Sequence, residues 1–551
     1  MRLPIFLALL LAPLISPAAP SVAPSRLFAD HMVLQRDKPI PVYGTGPAGA
    51  TVSVTFIDRT VSTTVGEDGR WLARLAPAPA GGPHTLVIKS DGTHRTYSDI
   101  LVGEVWLCIG QSNMYWESND SDVKSLAAQA ADHPRIRLAA CTNTFHPTLQ
   151  PGVSLHPSWS VPDATLAGKF SAVGYGFARD LQAALNVPVG IVRMAAGGVP
   201  IGAFMGPLSR DYDADVTAEI TASGHGSVLY NGQIAPAVPF AIRGILYYQG
   251  EANQNSSHVY KRSLAALIRE WRTLWNEPAL PVGVIQCAGF SGGNFHWIRD
   301  AQTTVAQVVP GVGDIVSFDN ADKSGIHPVE KRRIARRAAD WALADVYLKL
   351  DYEKNRTSHL RDFTLAGNAV TLEFTRTGGA LTVASGTVAQ AFKLAGDDGR
   401  YHSATTGSIV GDTIVVSSAA VLRPVSVRYA FASDAPANLY NAGGHPIGPF
   451  RTDDAPLYGT PAGSDLARPS RPGAPAIARN GASGTLAWPA ATDNVGVVEY
   501  LVYRDDELVA VTPGHFLALS GLADGQVLYI RARDYAMNVS HKSPDLRVGA
   551  R

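Results

Sequence analysis

Between Leu27 and about Ile100, short segments of apolar and polar residues are broken by Gly, Pro and Asp, as in Thr51-Val52-Ser53-Val54-Thr55-Phe56 and Thr85-Leu86-Val87-Ile88. Alternation of this kind puts every second side chain on one face and predicts strands, most simply a small β-sandwich over residues 20–100. The texture changes at Leu101. Val102 to Ile109 reads as a strand buried on both faces and runs straight into Gly110-Gln111-Ser112-Asn113-Met114. After it, helical and strand patterns take turns: Phe170–Leu185 as an amphipathic helix, Val187–Met194 and Ile242–Tyr248 as strands, Ser263–Trp275 as a helix, Val282–Cys287 as a strand and Val329–Tyr347 as a long helix. That succession predicts an α/β layer sandwich around a mainly parallel sheet over residues 101–347, with ligands gathering at the carboxyl ends of the strands.

Alternation returns over residues 348–460, as in Ala369-Val370-Thr371-Leu372-Glu373-Phe374 and Thr413-Ile414-Val415-Val416, and predicts a second β-domain. Residues 461–475, rich in Pro, Gly, Ala and Ser, read as an extended linker. Short strands resume over residues 476–551, with Trp488, Tyr500, Tyr503 and Tyr529 as core candidates.

Composition narrows the function. The 551 residues exceed what one core organises, which agrees with several domains. Lys+Arg and Asp+Glu balance at 47 each, so no electrostatic footprint for nucleic acid or an anionic membrane is present, and the expected partner is neutral or small. Met1-Arg2, the apolar run Leu3 to Ile15 and Ser16-Pro17-Ala18-Ala19 have the order of a secretory signal, so residues 1–19 are expected to be removed and the protein to be secreted or periplasmic. No later run reaches about 18 apolar residues, so no membrane insertion of the mature protein is expected. Cys108, Cys141 and Cys287 allow at most one disulfide and are read as buried free thiols; no Cys/His spacing suggests zinc, and no metal or organic cofactor is expected.

Four segments at or just after predicted strand ends can carry chemistry. Ser112 in Gly110-Gln111-Ser112-Asn113-Met114 is a candidate nucleophile, which needs a base and an oxyanion site. His327 in Ile326-His327-Pro328 is the candidate base, with Asp322 and Asp319 upstream as carboxylates able to orient an imidazole. Gly197-Gly198 and Tyr248-Gln249-Gly250-Glu251 can supply donors, since glycine allows close backbone approach and Gln carries an amide. Each segment also has a plain alternative: an N-capping serine, a helix-entry histidine, a tight strand-to-helix turn. Tyr115, Trp116, Phe204 and Trp297 are placed to stack on sugar rings or to pack as core or rim.

In that order, these four segments resemble the sialate O-acetylesterase family of SGNH-type hydrolases. The resemblance extends to Phe28-Ala29-Asp30-His31-Met32-Val33-Leu34-Gln35-Arg36, Tyr230-Asn231-Gly232-Gln233-Ile234-Ala235-Pro236, Arg299-Asp300-Ala301-Gln302, Asn438-Leu439-Tyr440-Asn441 and Pro449-Phe450-Arg451-Thr452-Asp453, and so covers roughly Leu27 to Asp454. It implies a multidomain protein with a central SGNH-type three-layer α/β sandwich flanked by β-sandwiches, acting as a serine esterase that removes acetyl groups from an acetylated carbohydrate, xylan-type polysaccharide or O-acetyl sialic acid, with no cofactor. It further implies Ser112 as nucleophile, His327 as general base, the Ser112 backbone with Gly198 and Gln249 as the oxyanion hole, and Glu251 as an organiser behind them. One position departs: Gly325 stands where the family usually carries its acid, two residues before the histidine. Asp322, Asp319 or a backbone carbonyl is left to orient the imidazole, or a Ser-His dyad works alone. Val495 to Arg504 and Tyr529 to Asp534 resemble fibronectin type III modules.

Two other classes compete. A non-catalytic glycan-binding or adhesion protein fits the number of β-domains but not the complete set Ser112, Gly198, Gln249 and His327. A serine lipase or peptidase fits the α/β pattern but not the elbow, since Met114 replaces the last Gly of Gly-x-Ser-x-Gly.

Overall fold

The strand Thr93–Gly110 (β1) runs 18 residues and joins two parts of the molecule. In the computed structural model, which describes residues 21–142, 145–150, 152–156, 158–386, 388–456 and 459–549, its first half pairs antiparallel with Gly81–Ser90, which continues through Thr51–Phe56 to Arg59–Thr64. Its second half is the middle of a parallel sheet. The boundary expected between residues 100 and 101 therefore falls inside one continuous strand. What changes there is burial: residues 93–99 are largely exposed or half-buried, whereas every residue from Ile100 to Gly110 is buried. Sequence pattern reports that switch from one covered face to two, not a break in the backbone. The expected export signal, residues 1–19, lies outside the described residues.

The parallel sheet adds Ile136–Ala140 (β2), Val189–Ala195 (β3), Gly244–Tyr248 (β4), Val282–Ile285 (β5) and Val312–Ile315 (β6), in the spatial order β2-β3-β1-β4-β5-β6. The chain moves to one side of β1 for β2 and β3, then to the other for β4 to β6. The topological switch thus lies at β1, and the crevice beyond its carboxyl end is where such sheets bind ligands.

Alternate side chains of the sheet enter two cores. Trp106, Cys108, Ile191, Leu246 and Tyr248 pack with the helices Ala172–Leu185 (α2) and Lys331–Trp341 (α5). Leu107, Ile109, Val192, Ile245 and Tyr247 pack with Ser257–Leu274 (α3) and Phe295–Val308 (α4). The labels α2 to α5 follow the short helix Ser112–Tyr115 (α1) at the end of β1. α2 begins at Ser171, whose Oγ accepts from Gly174 N at 3.0 Å and donates to Met114 O at 2.6 Å, and ends at Asn186 in the left-handed conformation. One cap thereby fixes both the helix and the turn carrying Ser112.

Two further β regions follow. Leu360–Ala366, Ala369–Phe374, Thr413–Ser417 and Thr406–Val410 form one sheet and Tyr401–Ser403, Phe392–Ala395, Ser426–Tyr429 and Phe450–Arg451 another, around Leu372, Leu394, Ile414 and Val427. In the C-terminal part a three-stranded and a four-stranded sheet enclose Trp488, Tyr500, Val502 and Ile530. Tyr503 and Tyr529, expected in that core, lie on the other side of their strands. They stack on each other at 4.7 Å, and Tyr503 Oη donates to Gln307 O at 3.1 Å. Residues two apart in a strand share a face, but Tyr500 and Tyr503 are three apart, so only one of them faces inward. All three cysteines are buried and free, and among the described residues no helix is long and apolar enough to cross a membrane.

Candidate active site

β1 stops where its backbone touches β4. Gly110 has φ +154°, and a Cβ there would sit 2.1 Å from the Tyr248 carbonyl oxygen, so glycine is required for the close approach. Gln111 N then donates to that same oxygen at 3.0 Å, and the chain turns into α1 with Ser112 as its first residue. The Ser112 N–H is consequently one of those a helix start leaves without an intrahelical acceptor. On the β3 side, Gly198 adopts φ +68° in the turn after the strand, with open space where a side chain would be.

His327 lies in the loop before α5 and reaches Ser112: its Nε2 is 2.8 Å from Ser112 Oγ. The ring of Trp116 stacks on the imidazole, with centroids 4.4 Å apart and planes 24° apart. Burial holds the His327 pKa below its ordinary value, and the nearby charge of Lys331 adds to the effect. Neutral imidazole beside a serine hydroxyl is the arrangement that can accept a proton from it.

The expected acid is elsewhere. Asp322 is exposed, and its Oδ1 accepts from Ser324 N at 2.9 Å and Ser324 Oγ at 2.6 Å, which closes a local Asx turn and holds its carboxyl below the usual range. The Asp319 side chain is enclosed but committed to Arg337, which grips it twice at 2.7 Å, and to Tyr440 Oη at 2.9 Å. Among the described residues no carboxylate hydrogen-bonds to His327.

Gln249 also differs from its expected part. It is fully buried, and its Nε2 faces Asn253 Oδ1 at 2.8 Å, Val199 O at 3.2 Å and Gln111 Oε1 at 3.2 Å. Two amide hydrogens meet three protein acceptors, so none is left for a substrate oxygen. Its place beneath the site is to fix Gln111, whose Oε1 also accepts from Gly250 N at 3.3 Å and Ala252 N at 3.2 Å. Three protein donors thus hold Oε1 and fix the buried Gln111 carboxamide one residue before Ser112.

Glu251 is buried and accepts from Asn113 Nδ2 at 2.6 Å; Asn113 in turn receives Lys331 Nζ at 2.6 Å. Burial pushes the Glu251 carboxyl up against the opposing effect of Asn113 and Lys331, and pushes Lys331 down to about 7. Gln111, Asn113 and Lys331 are the residues that reading motifs alone passes over. For Lys331 a signal existed: it precedes Ile334, Ala335, Ala338 and Ala339 at helical spacing, on the face that α5 buries. Of the four aromatics, Trp116 lines the histidine and Tyr115 lies under the Arg193 guanidinium at 4.1 Å, whereas Phe204 is core against Tyr247 and Trp297 packs on Phe431. The acidic grouping Asp465, Asp493 and Asp534 includes none of these residues.

Against known proteins, the family described as carbohydrate esterase, sialic acid-specific acetylesterase matches residues 102–339. The crystal structure of a carbohydrate acetylesterase from Xanthomonas citri is similar with TM-score 0.73 and 33% identity, over 78% of this chain and 99% of that one. The sialate O-acetylesterase of Pongo abelii is 29% identical over 381 residues, 60% of this chain and 71% of the relative. Over a shorter stretch of 93 residues, 16% of this chain, Chitinase A1 of Niallia circulans is 41% identical. Fold and likeness together define a carboxylic ester hydrolase. More narrowly, the chain belongs to the sialate O-acetylesterase-like family of carbohydrate acetylesterases.

Proposed function

We propose that this chain is an exported carbohydrate O-acetylesterase that works by an acetyl-enzyme on a Ser112–His327 dyad. The contact of 2.8 Å between Ser112 Oγ and His327 Nε2, at the switch point of the sheet, carries the reading. His327 takes the Ser112 proton as Oγ attacks the acetyl carbonyl. The tetrahedral oxygen is met by the Ser112 and Gly198 N–H groups and by the Gln111 amide, which we assign in place of Gln249. Collapse breaks the ester C–O bond, and His327 returns the proton to the departing sugar oxygen. Water then attacks the acetyl-serine by the reverse proton route and releases acetate. Acetylated xylan-type polysaccharide and O-acetylated sialic acid are the two substrates we put forward, and the C-terminal residues 476–551, whose described part forms two small β-sheets around Trp488, are taken as a fibronectin type III-like module that the esterase carries.

Acetate release from both substrates by wild type and by Ser112→Ala, each checked for folding, tests this. Release from one substrate that is lost in the variant supports the mechanism and selects the glycan. Equal release by the variant, or none from either substrate, overturns it.

A further inference from the structure

Among the described residues His327 has no carboxylate partner, yet its loop is held. The holding group is Asn113, the residue after the nucleophile. It is 1% exposed, and its carboxamide touches three other segments: Nδ2 donates to Glu251 Oε1 at 2.6 Å and to Ile326 O at 3.1 Å, while Oδ1 accepts from Lys331 Nζ at 2.6 Å. The orientation is forced from both ends. A flipped amide would set its oxygen against the Glu251 carboxylate and its NH₂ against the Lys331 ammonium, leaving buried groups unsatisfied on each side. Ile326 immediately precedes His327, so the bond to its carbonyl fixes the backbone from which the imidazole projects.

We propose that Asn113, locked between Glu251 and Lys331, is the positioning residue that keeps His327 in register with Ser112, with Lys331 holding the amide oxygen from the helix that follows the histidine loop. The inference rests on the Ser112–His327 reading above. Its physical logic is a division of labour. In a triad one carboxylate both orients the imidazole and stabilises the imidazolium. Here orientation comes from an amide acting on the neighbouring peptide. Lys331 is faced by Glu251, by Asp122 and Glu330, by His327 and by the Tyr248 ring, whose centroid is 5.8 Å from Nζ. Those carboxylates offset only part of the burial, which still pulls Lys331 down to about 7, so the lysine carries its charge on the acid side of neutrality. The ammonium disfavours protonation of His327, so the base stays available into more acidic solution than a lone histidine would.

The test compares Asn113→Ala, Lys331→Met, Glu251→Ala and Glu251→Gln with wild type and with Ser112→Ala on one acetylated substrate, measuring kcat, KM and the pH profile of kcat/KM, with circular dichroism to confirm folding. Asn113→Ala is expected to lower kcat by about 10²-fold, the scale of a misplacement of about 1 Å, with KM within about threefold. Glu251→Gln, which still accepts from Asn113, is expected to restore most of the kcat lost in Glu251→Ala. Lys331→Met is expected to move the acid limb of kcat/KM to higher pH, a change that a merely structural lysine would not produce. Loss of activity in Ser112→Ala with wild-type kcat in folded Asn113→Ala, no difference between the two Glu251 variants and an unmoved acid limb in Lys331→Met overturns the proposal while the dyad stands. Activity in Ser112→Ala overturns the dyad instead. Should Asn113→Ala fail to fold, the Glu251 pair and the Lys331 profile decide.

Discussion

Two histidines in this molecule have opposite partners. His327 Nε2 meets a serine hydroxyl at 2.8 Å, with no carboxylate on the ring among the described residues. His359 Nε2 meets Asp314 Oδ2 at 2.9 Å in a buried site, with no serine hydroxyl on its ring among the described residues. Asp314 belongs to β6 and His359 directly precedes the strand Leu360–Ala366, so their bond ties the edge of the α/β sheet to the second β-domain. Thr303 Oγ1 and Gln286 Nε2 add bonds to the same carboxylate at 3.1 and 2.7 Å. The Asp-His pair, half of a familiar triad, is here a structural staple. The proposed chemistry is assigned to the histidine that, among the described residues, has no acid on its ring, because it meets the first residue of a helix at the carboxyl end of β1. Location and nucleophile, not the acid, separate the two.

Replacing each histidine by Ala sharpens the contrast. His327→Ala is expected to reduce kcat/KM by about 10⁴-fold or more, the scale seen when a serine loses its base, with little change in the unfolding midpoint. His359→Ala is expected to do the reverse: activity per folded molecule within about twofold, and stability lower by roughly 1–3 kcal/mol because a buried carboxylate loses a donor. Enzyme assays beside urea unfolding check both. Equal catalytic damage from the two variants would break the comparison.

The pH profile gives a smaller but directional effect. Burial and the Lys331 charge both hold His327 below its ordinary value of 6.5. The base must be neutral, so kcat/KM falls as pH drops through the His327 pKa, and the acid limb is expected below pH 6.5. A carboxylate on the ring would raise the pKa and place the limb higher. A limb at or above pH 7 would reveal such a partner. The smallest effect belongs to Asp322→Ala, expected to change kcat/KM by no more than about twofold, the range of a surface substitution. Loss of a true triad acid costs about 10⁴-fold, so the assay separates the two readings.

Much of this was legible in the chain. The unbroken apolar run Val102–Ile109 marked the central strand, and the motif after it placed Ser112 at its end. The helix expected over Phe170–Leu185 is observed from Ala172 to Leu185, because Ser171 caps it. The helix expected from Val329 starts at Lys331, after the loop that carries His327. The strand Val312–Ile315 and the helix Phe295–Val308 were not anticipated: the first is four residues long, too brief for periodicity to register. At the site, the structure brings Ser112 and His327 into contact, and each lies in a motif of its own. The parts expected of Asp322 and Gln249 are not what the structure shows, because a hydrogen-bonding partner is chosen in space. Asp322 is taken by Ser324 two residues away, and Gln249 points its amide under the sheet edge toward Asn253. No sequence spacing distinguishes an amide aimed at substrate from one aimed at the floor.

The most direct test of the dyad is covalent. Wild type treated with a serine-directed fluorophosphonate, digested and mapped by mass spectrometry, is expected to carry one adduct on Ser112 in proportion to activity lost, with labelling abolished in His327→Ala and retained in Asp322→Ala. An adduct on another serine that tracks inactivation, or loss of labelling in Asp322→Ala with the fold intact, would contradict the account.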